Sequence, residues 1–286
     1  MEGMLIRFWG VRGSVASPGP ATRGVGGNTS TVEIRCGAAH FILDAGTGVR
    51  ALGDRLMRER EVRAHLLLSH LHWDHIQGLP FFAPLYQSRT ELTIVSAGEE
   101  QGATRTALAG QMRAPTFPVD WENLPARISF RELTDGGCDF IDGVEVRTLR
   151  LSHPGGDVTA YRLDYGGRSV VYATDVEREA TTPDGLREFV RGADVLIHDA
   201  QYTPEEYRGE VGPSRVGWGH STFEAAAGLA RAADVKSLLL LHHDPGHDDA
   251  AVSEIELRAQ LLFAHTECAR EGMTLGFDVE PERSVA

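Results

Sequence analysis

Cysteine is scarce in this chain: Cys36, Cys138 and Cys268 are far apart, odd in number and outside any CxxC pattern. Neither a disulfide framework nor a zinc ribbon is indicated, and reduced core thiols are expected. No apolar run approaches the roughly 18 residues that span a bilayer. Met1-Glu2-Gly3-Met4 lacks the basic start of a signal peptide, so the expected address is cytoplasmic, with no membrane contact. Basic residues are also in deficit, with 28 Lys and Arg against 41 Asp and Glu and a net charge of −13. Such a balance repels long nucleic acids unless basic side chains gather on one face. A small anionic ligand stays open, because divalent cations offset local negative charge. Low-complexity segments and short repeats are absent. What is present, 42% apolar and 24% charged residues over 286 positions, describes an ordinary globular chain with room for a large core.

The densest chemistry lies in Ala64-His65-Leu66-Leu67-Leu68-Ser69-His70-Leu71-His72-Trp73-Asp74-His75-Ile76-Gln77-Gly78. Four ligand-type side chains, His70, His72, Asp74 and His75, follow a short apolar segment that reads as a buried strand. His70 and His72 alternate, so both imidazoles leave one side of an extended segment and can grip one cation. Asp74 and His75 fall where the chain turns into a helix and point elsewhere, which suits a second cation.

Further along, apolar strands repeatedly end in His or Asp. Val144 to Leu151 leads to His153, Ser169 to Ala173 to Asp175, Val195 to Ile197 to His198-Asp199, and Ser237 to Leu241 to His242-His243-Asp244. Active sites of open α/β sheets collect at such strand ends. Asp44-Ala45-Gly46-Thr47-Gly48 connects a hairpin strand to a helix from about Val49 to Arg60, with Asp44 either facing the site or capping the helix. Leu79 to Tyr86 reads as core packing or a pocket wall. Helices are expected from Gln101 to Met112, Phe223 to Ala233 and Asp248 to Glu271, and a closing strand from Met273 to Phe277. The two halves, divided near Arg150, each read as strands followed by helices, hinting at a duplicated layout within one unit, 1–286.

The motif His70-Leu71-His72-Trp73-Asp74-His75, with His153, Asp175 and His242, resembles the metallo-β-lactamase superfamily. That resemblance implies an α/β, four-layer αββα sandwich around a dinuclear site. His198-Asp199-Ala200, Gly219-His220-Ser221-Thr222 and Leu240-Leu241-His242 look like motifs of its phosphodiesterase branch, which includes ribonuclease Z and a cyclic-phosphate phosphodiesterase. By position, the resemblance implies one metal on His70, His72 and His153, another on Asp74, His75 and His242, and Asp175 bridging. Imidazoles and carboxylates without thiolates suit Zn²⁺ first and Mn²⁺ second. Two cations about 3.5 to 4 Å apart activate a shared water and neutralise phosphoryl charge. The catalytic set implied is Asp74, Asp199 and His220, with Asp199 orienting His220.

The long arm of ribonuclease Z has no counterpart between Val95 and Ile128, which is short and not Lys-rich. The expected activity is therefore hydrolysis of a small cyclic or terminal phosphodiester, such as a cyclic nucleotide. Ester, thioester or lactone hydrolysis on the same metals is the alternative, and a metal-loaded, non-catalytic nucleotide-binding protein the third reading. Arg12, Arg23 and Asn28, in two Gly-rich loops, are the expected anion contacts. The branch implies a homodimer. His243 or His247 could replace or supplement His242, and His198 is expected to support rather than to bind metal.

Overall fold

The computed structural model describes residues 3–97, 102–177 and 184–277. The first strands are β1 (Met4–Gly10), β2 (Thr31–Cys36), β3 (Ala39–Leu43), β4 (Val62–Leu67), β5 (Thr90–Ala97) and β6 (Arg127–Leu133). They continue as β7 (Cys138–Ile141), β8 (Val144–His153), β9 (Gly156–Tyr165), β10 (Arg168–Ala173), β11 (Val195–Asp199), β12 (Ser237–Leu241), β13 (Thr266–Cys268) and β14 (Thr274–Phe277). Helices are α1 (Val49–Leu56), α2 (Trp73–Ile76), α3 (Ala103–Gln111), α4 (Asp184–Val190), α5 (Pro204–Arg208), α6 (Phe223–Ala232) and α7 (Asp249–Leu262). None of the described helices is long and apolar enough to cross a membrane.

Among the described residues these strands form two seven-stranded sheets, ordered β14-β1-β2-β3-β4-β5-β6 and β13-β12-β11-β10-β9-β8-β7. Each sheet has an antiparallel part, β14 to β3 and β7 to β10, and a parallel part, β3 to β6 and β10 to β13. The central parallel strands are apolar, as burial of both faces requires: every residue of β3 and β11 is buried, the latter reading Val-Leu-Ile before its polar end.

One apolar core joins the sheets, with Ile6, Phe8, Ile34 and Phe41 from one and Val146, Tyr161, Val171 and Ile197 from the other. A second core under α1 gathers Leu52, Leu56, Leu66, Leu79, Phe82 and Leu85 on the outer face of the first sheet. Leu79, Phe82 and Leu85 are thus core residues, while Phe81 faces solvent against Phe117. Helices α6 and α7 cover the second sheet beside β11 to β13. The result is the expected four-layer αββα sandwich.

Several expected boundaries move. The division between sheets falls between Leu133 and Cys138, not near Arg150, which lies inside β8. The final helix stops at Leu262 rather than running to Glu271, because Thr266–Cys268 extends the second sheet as a parallel partner of β12. Helix α1 also ends early, at Leu56, and α3 begins at Ala103, with Gln101 outside the described residues.

Candidate metal centre

The site is assembled at strand ends from both sheets. The segment after β4 supplies His70, His72, Asp74 and His75; the ends of β8, β10 and β12 supply His153, Asp175 and His242. Two groups of candidate ligand atoms converge as the resemblance implies, His70, His72, His153 and Asp175, and Asp74, His75 and His242; a third set, Asp175, Asp199, His220 and His242, overlaps both. All are buried except half-buried His72. Asp175 lies between the groups. Its Oδ2 faces His70 Nε2 at 3.6 Å and His153 Nε2 at 3.8 Å, while Oδ1 faces His75 Nε2 at 3.3 Å and His242 Nε2 at 3.4 Å.

Backbone strain accompanies this convergence. Asp44, Asp175 and His242, at the ends of β3, β10 and β12, have φ of 59°, 56° and 62°. Non-glycine residues in the left-handed region cost free energy and persist where the surroundings over-determine them. Close approach imposes a different demand at Gly13, where an added Cβ would lie 2.3 Å from His242 Nδ1. Its neighbour Ser14 then donates its N–H to Asp74 Oδ2 at 2.8 Å.

Most ligand imidazoles are oriented from behind. His75 Nδ1 donates to Asp44 Oδ2 (2.8 Å), His70 Nδ1 to Ser69 Oγ (3.0 Å), His242 Nδ1 to Gln201 Oε1 (2.9 Å) and His153 Nδ1 to Gly219 O (3.2 Å). Such bonds fix the tautomer and leave Nε2 bare toward the centre. The bare nitrogens crowd one another: His75 Nε2 lies 3.3 Å from His242 Nε2, and His153 Nε2 lies 3.2 Å from His72 Nδ1. Among the described residues His70 Nε2 is buried without a hydrogen-bond partner. Lone pairs pointed at lone pairs in a buried, carboxylate-bearing cluster fit divalent cations, and the absence of thiolates fits borderline or harder ones.

Electrostatics point the same way. Burial disfavours ionised Asp175, yet the imidazoles of His242, His75 and His70 hold its pKa well below the ordinary carboxylate range. Burial likewise opposes a charged His75, but Asp74, Asp175 and Asp44 raise its pKa far above 6.5. His70 moves the other way, lowered by burial and by His75. The buried carboxylates thus favour positive charge beside them.

Beside the ligands, His220 Nδ1 lies 2.8 Å from Asp199 Oδ2, and its ring stacks on His242 at 4.9 Å between centroids. Asp199 Oδ1 accepts from the Gln201 N–H at 2.9 Å, so one carboxylate braces both His220 and the residue that orients His242. Burial lowers the His220 pKa, but the Asp199 carboxylate more than offsets it and lifts the value to about 9.

The expected anion contacts fare differently. Arg12 is fully buried, and its guanidinium donates to the carbonyls of Gly26 (2.7 Å), His247 (2.6 Å) and Asp244 (3.2 Å), bracing loops, while among the described residues its Nη2 is buried without a hydrogen-bond partner. Asn28 Nδ2 is spent on Glu271 Oε2 at 3.0 Å, and its N–H on Oε1 of the same carboxylate. Arg23 is exposed on its loop, outside both ligand groups. His243 and His247 stay out of those groups too; His243 Nε2 donates to Ala269 O and His247 Nε2 pairs with Glu206. Buried His198 bonds through Nδ1 to Asp199 O.

Three residues that sequence reasoning left out or left open do much of the orienting. Asp44 accepts from His75, from Ser69 N and Oγ and from the Tyr172 hydroxyl, so it braces the site and does not cap a helix. Tyr172 and Gln201 carry no sequence signal beyond standing near strand ends.

Comparison with known proteins agrees with this geometry. A ribonuclease Z from Mycobacterium avium (strain 104) is 30% identical over 229 residues, covering 74% of this chain and 78% of its own. One from Archaeoglobus fulgidus is 25% identical, covering 94% and 96%. The fold is shared with YhfI, a metallo-beta-lactamase fold protein from Bacillus subtilis, at a TM-score of 0.72, 19% identity and coverage of 97% and 100%. It is shared also with a diphosphatase of the PhnP family, at 0.69, 19% identity and coverage of 96% and 98%. The model of the beta-lactamase superfamily domain matches residues 40–243. A match over so much of the chain makes it a member of the metallo-β-lactamase superfamily.

Proposed function

We propose that this metal-dependent hydrolase cleaves a small phosphodiester, cyclic or terminal, with a cyclic nucleotide as the model substrate. The observation that carries the reading is the Asp199–His220 pair set against the buried ligand cluster. With Nδ1 committed to Asp199, Nε2 of His220 is the nitrogen available to a substrate, and the raised pKa keeps a proton there at neutral pH. A protonated imidazole can stabilise phosphoryl charge and protonate a departing alkoxide. His70, His72 and His153 would hold one cation, Asp74, His75 and His242 the other, and Asp175 both; zinc is the first choice and manganese the second. When bound, the cations supply activation of water and neutralisation of phosphoryl charge.

The relatives named ribonuclease Z support attack on phosphorus rather than on carbonyl carbon, and they favour a second reading in which the phosphodiester belongs to an RNA. The net charge of −13 weighs against a long polyanion. Exposed Trp73, next to His72, offers a stacking face for a planar group on a small substrate, whereas exposed Trp218, two residues before His220, already carries the Arg215 guanidinium over its ring at 4.5 Å.

The test is a panel of bis(p-nitrophenyl) phosphate, cyclic nucleotides, acyl esters and a precursor transfer RNA, assayed with Zn²⁺ and Mn²⁺. Turnover of small phosphodiesters that collapses in His220→Ala supports the proposal. Faster turnover of acyl esters, indifferent to His220→Ala, would overturn it, and preference for the RNA would transfer it to the second reading.

A further inference from the structure

Glu177 lies two residues beyond Asp175 and belongs to neither ligand group. Its buried carboxylate is spent on one stretch of chain. Oε1 accepts from the Gly217 N–H at 2.6 Å and the Tyr207 hydroxyl at 2.7 Å, and Oε2 accepts from the Gly219 N–H at 2.8 Å. Gly217 and Gly219 have φ of 82° and 89°, and their N–H groups converge on this one carboxylate. Converging N–H groups form a concavity that binds anions, and here the protein fills it with its own carboxylate. Next door, the carbonyl of Val176 accepts from Ser221 Oγ. Residues 176 and 177 therefore grip the chain on both sides of His220.

The grip extends to the metal ligands. Gly219 O accepts from His153 Nδ1, and an added Cβ on Gly219 would lie 2.5 Å from that nitrogen and 2.5 Å from Pro154 Cδ. The peptide that Glu177 holds is packed directly against a ligand imidazole.

We propose that Glu177 is a positioning residue for this centre: it fixes the Gly217–His220 segment, and through it aims His220 and orients His153. The kinetic part rests on the phosphodiesterase reading; the structural part stands without it. A glutamine retains one oxygen acceptor but turns an N–H₂ donor toward the other backbone N–H, so one grip survives and one becomes repulsive. An aspartate keeps both acceptors on a shorter stem. Tyr207→Phe removes one donor and leaves the backbone grips in place.

The experiment compares wild type with Glu177→Gln, Glu177→Asp and Tyr207→Phe by three readouts. Glu177→Gln should lower kcat by about 10- to 100-fold with KM nearly unchanged, the range typical of residues that orient metal ligands. Titration of the apo protein with Zn²⁺ or Mn²⁺ alone should show one of the two equivalents weakened by about tenfold. Amide exchange should accelerate in peptides spanning 215–221 while the melting temperature moves little. Glu177→Asp should recover part of each loss, and Tyr207→Phe should stay near wild type. Wild-type kcat, metal affinity and exchange in Glu177→Gln would overturn the proposal, as would losses that simply track melting temperature across all three variants. If Glu177→Gln does not fold, Glu177→Asp decides, and unchanged exchange at 215–221 counts against the proposal. If wild type turns over no phosphodiester, metal titration and exchange still decide the structural part, so failure of the functional reading is distinguishable.

Discussion

Asp44 Oδ2 lies 2.8 Å from His75 Nδ1, linking the end of one strand to a ligand 31 positions later in the chain. The same oxygen accepts from Tyr172, on the opposite sheet, at 2.7 Å. Asp44→Asn keeps the shape but loses the charge and one acceptor oxygen, so the four donors that converge on it are no longer all satisfied and His75 is held less firmly. Activity or metal affinity should fall by about 10- to 100-fold, measured by kcat and by metal titration. Tyr172→Phe should produce a smaller loss.

Metal removal should abolish turnover and lower thermal stability. A cation that binds only the folded chain adds about 4 kcal/mol when present at a thousand times its Kd. Calorimetry of chelated and reloaded protein should show the melting temperature rising with Zn²⁺ or Mn²⁺ concentration, and activity returning with it.

His220 sets a pH dependence whose sign can be worked out. Its folded pKa, about 9, lies above the ordinary 6.5, so the Asp199 pairing contributes stability that is fully present below about 6.5 and is lost as pH rises toward 9. Activity that uses the His220 proton should fall on the same alkaline limb. Bound cations, being positive, pull that limb to lower pH. Rate profiles of wild type and His220→Ala check this: the variant should be slower and should lack the limb.

Arg12→Ala should destabilise the fold by about 2 to 4 kcal/mol, because two buried carbonyls and a part-buried one lose their donor. Urea denaturation measures the loss. KM of the folded fraction should change little, which separates a bracing residue from an anion-binding one.

Gly219→Ala should cost about 1 to 3 kcal/mol from backbone strain alone, since φ is 89°. The added methyl also presses on His153 Nδ1, so activity should fall further than stability, as parallel kinetics and denaturation will show.

The clustered His and Asp side chains were legible because each is chemically distinctive and most stand at the end of an apolar strand, and strand ends can be read from local pattern. Asp44 as hub, Gln201 behind His242 and Glu177 under Gly219 were not, because their partners lie 31, 41 and 42 positions away and only folding brings them together. The bracing contacts of Arg12 were hidden for a related reason: its burial and its three carbonyl acceptors, two of them 232 and 235 positions away, come only with the fold. Likewise Thr266–Cys268 is too short to show a strand period, and the helix before it supplied the stronger signal.

Both ligand groups draw on both sheets. His70 and His72 need His153 and Asp175 from across the core, and Asp74 with His75 needs His242. Neither of these two sets is complete on one sheet, so cation capture at them would be conditional on the sheets having docked. Cations held there would act as a clasp between docked sheets rather than as a seed for folding, and their removal is expected to let the two sheets part more readily.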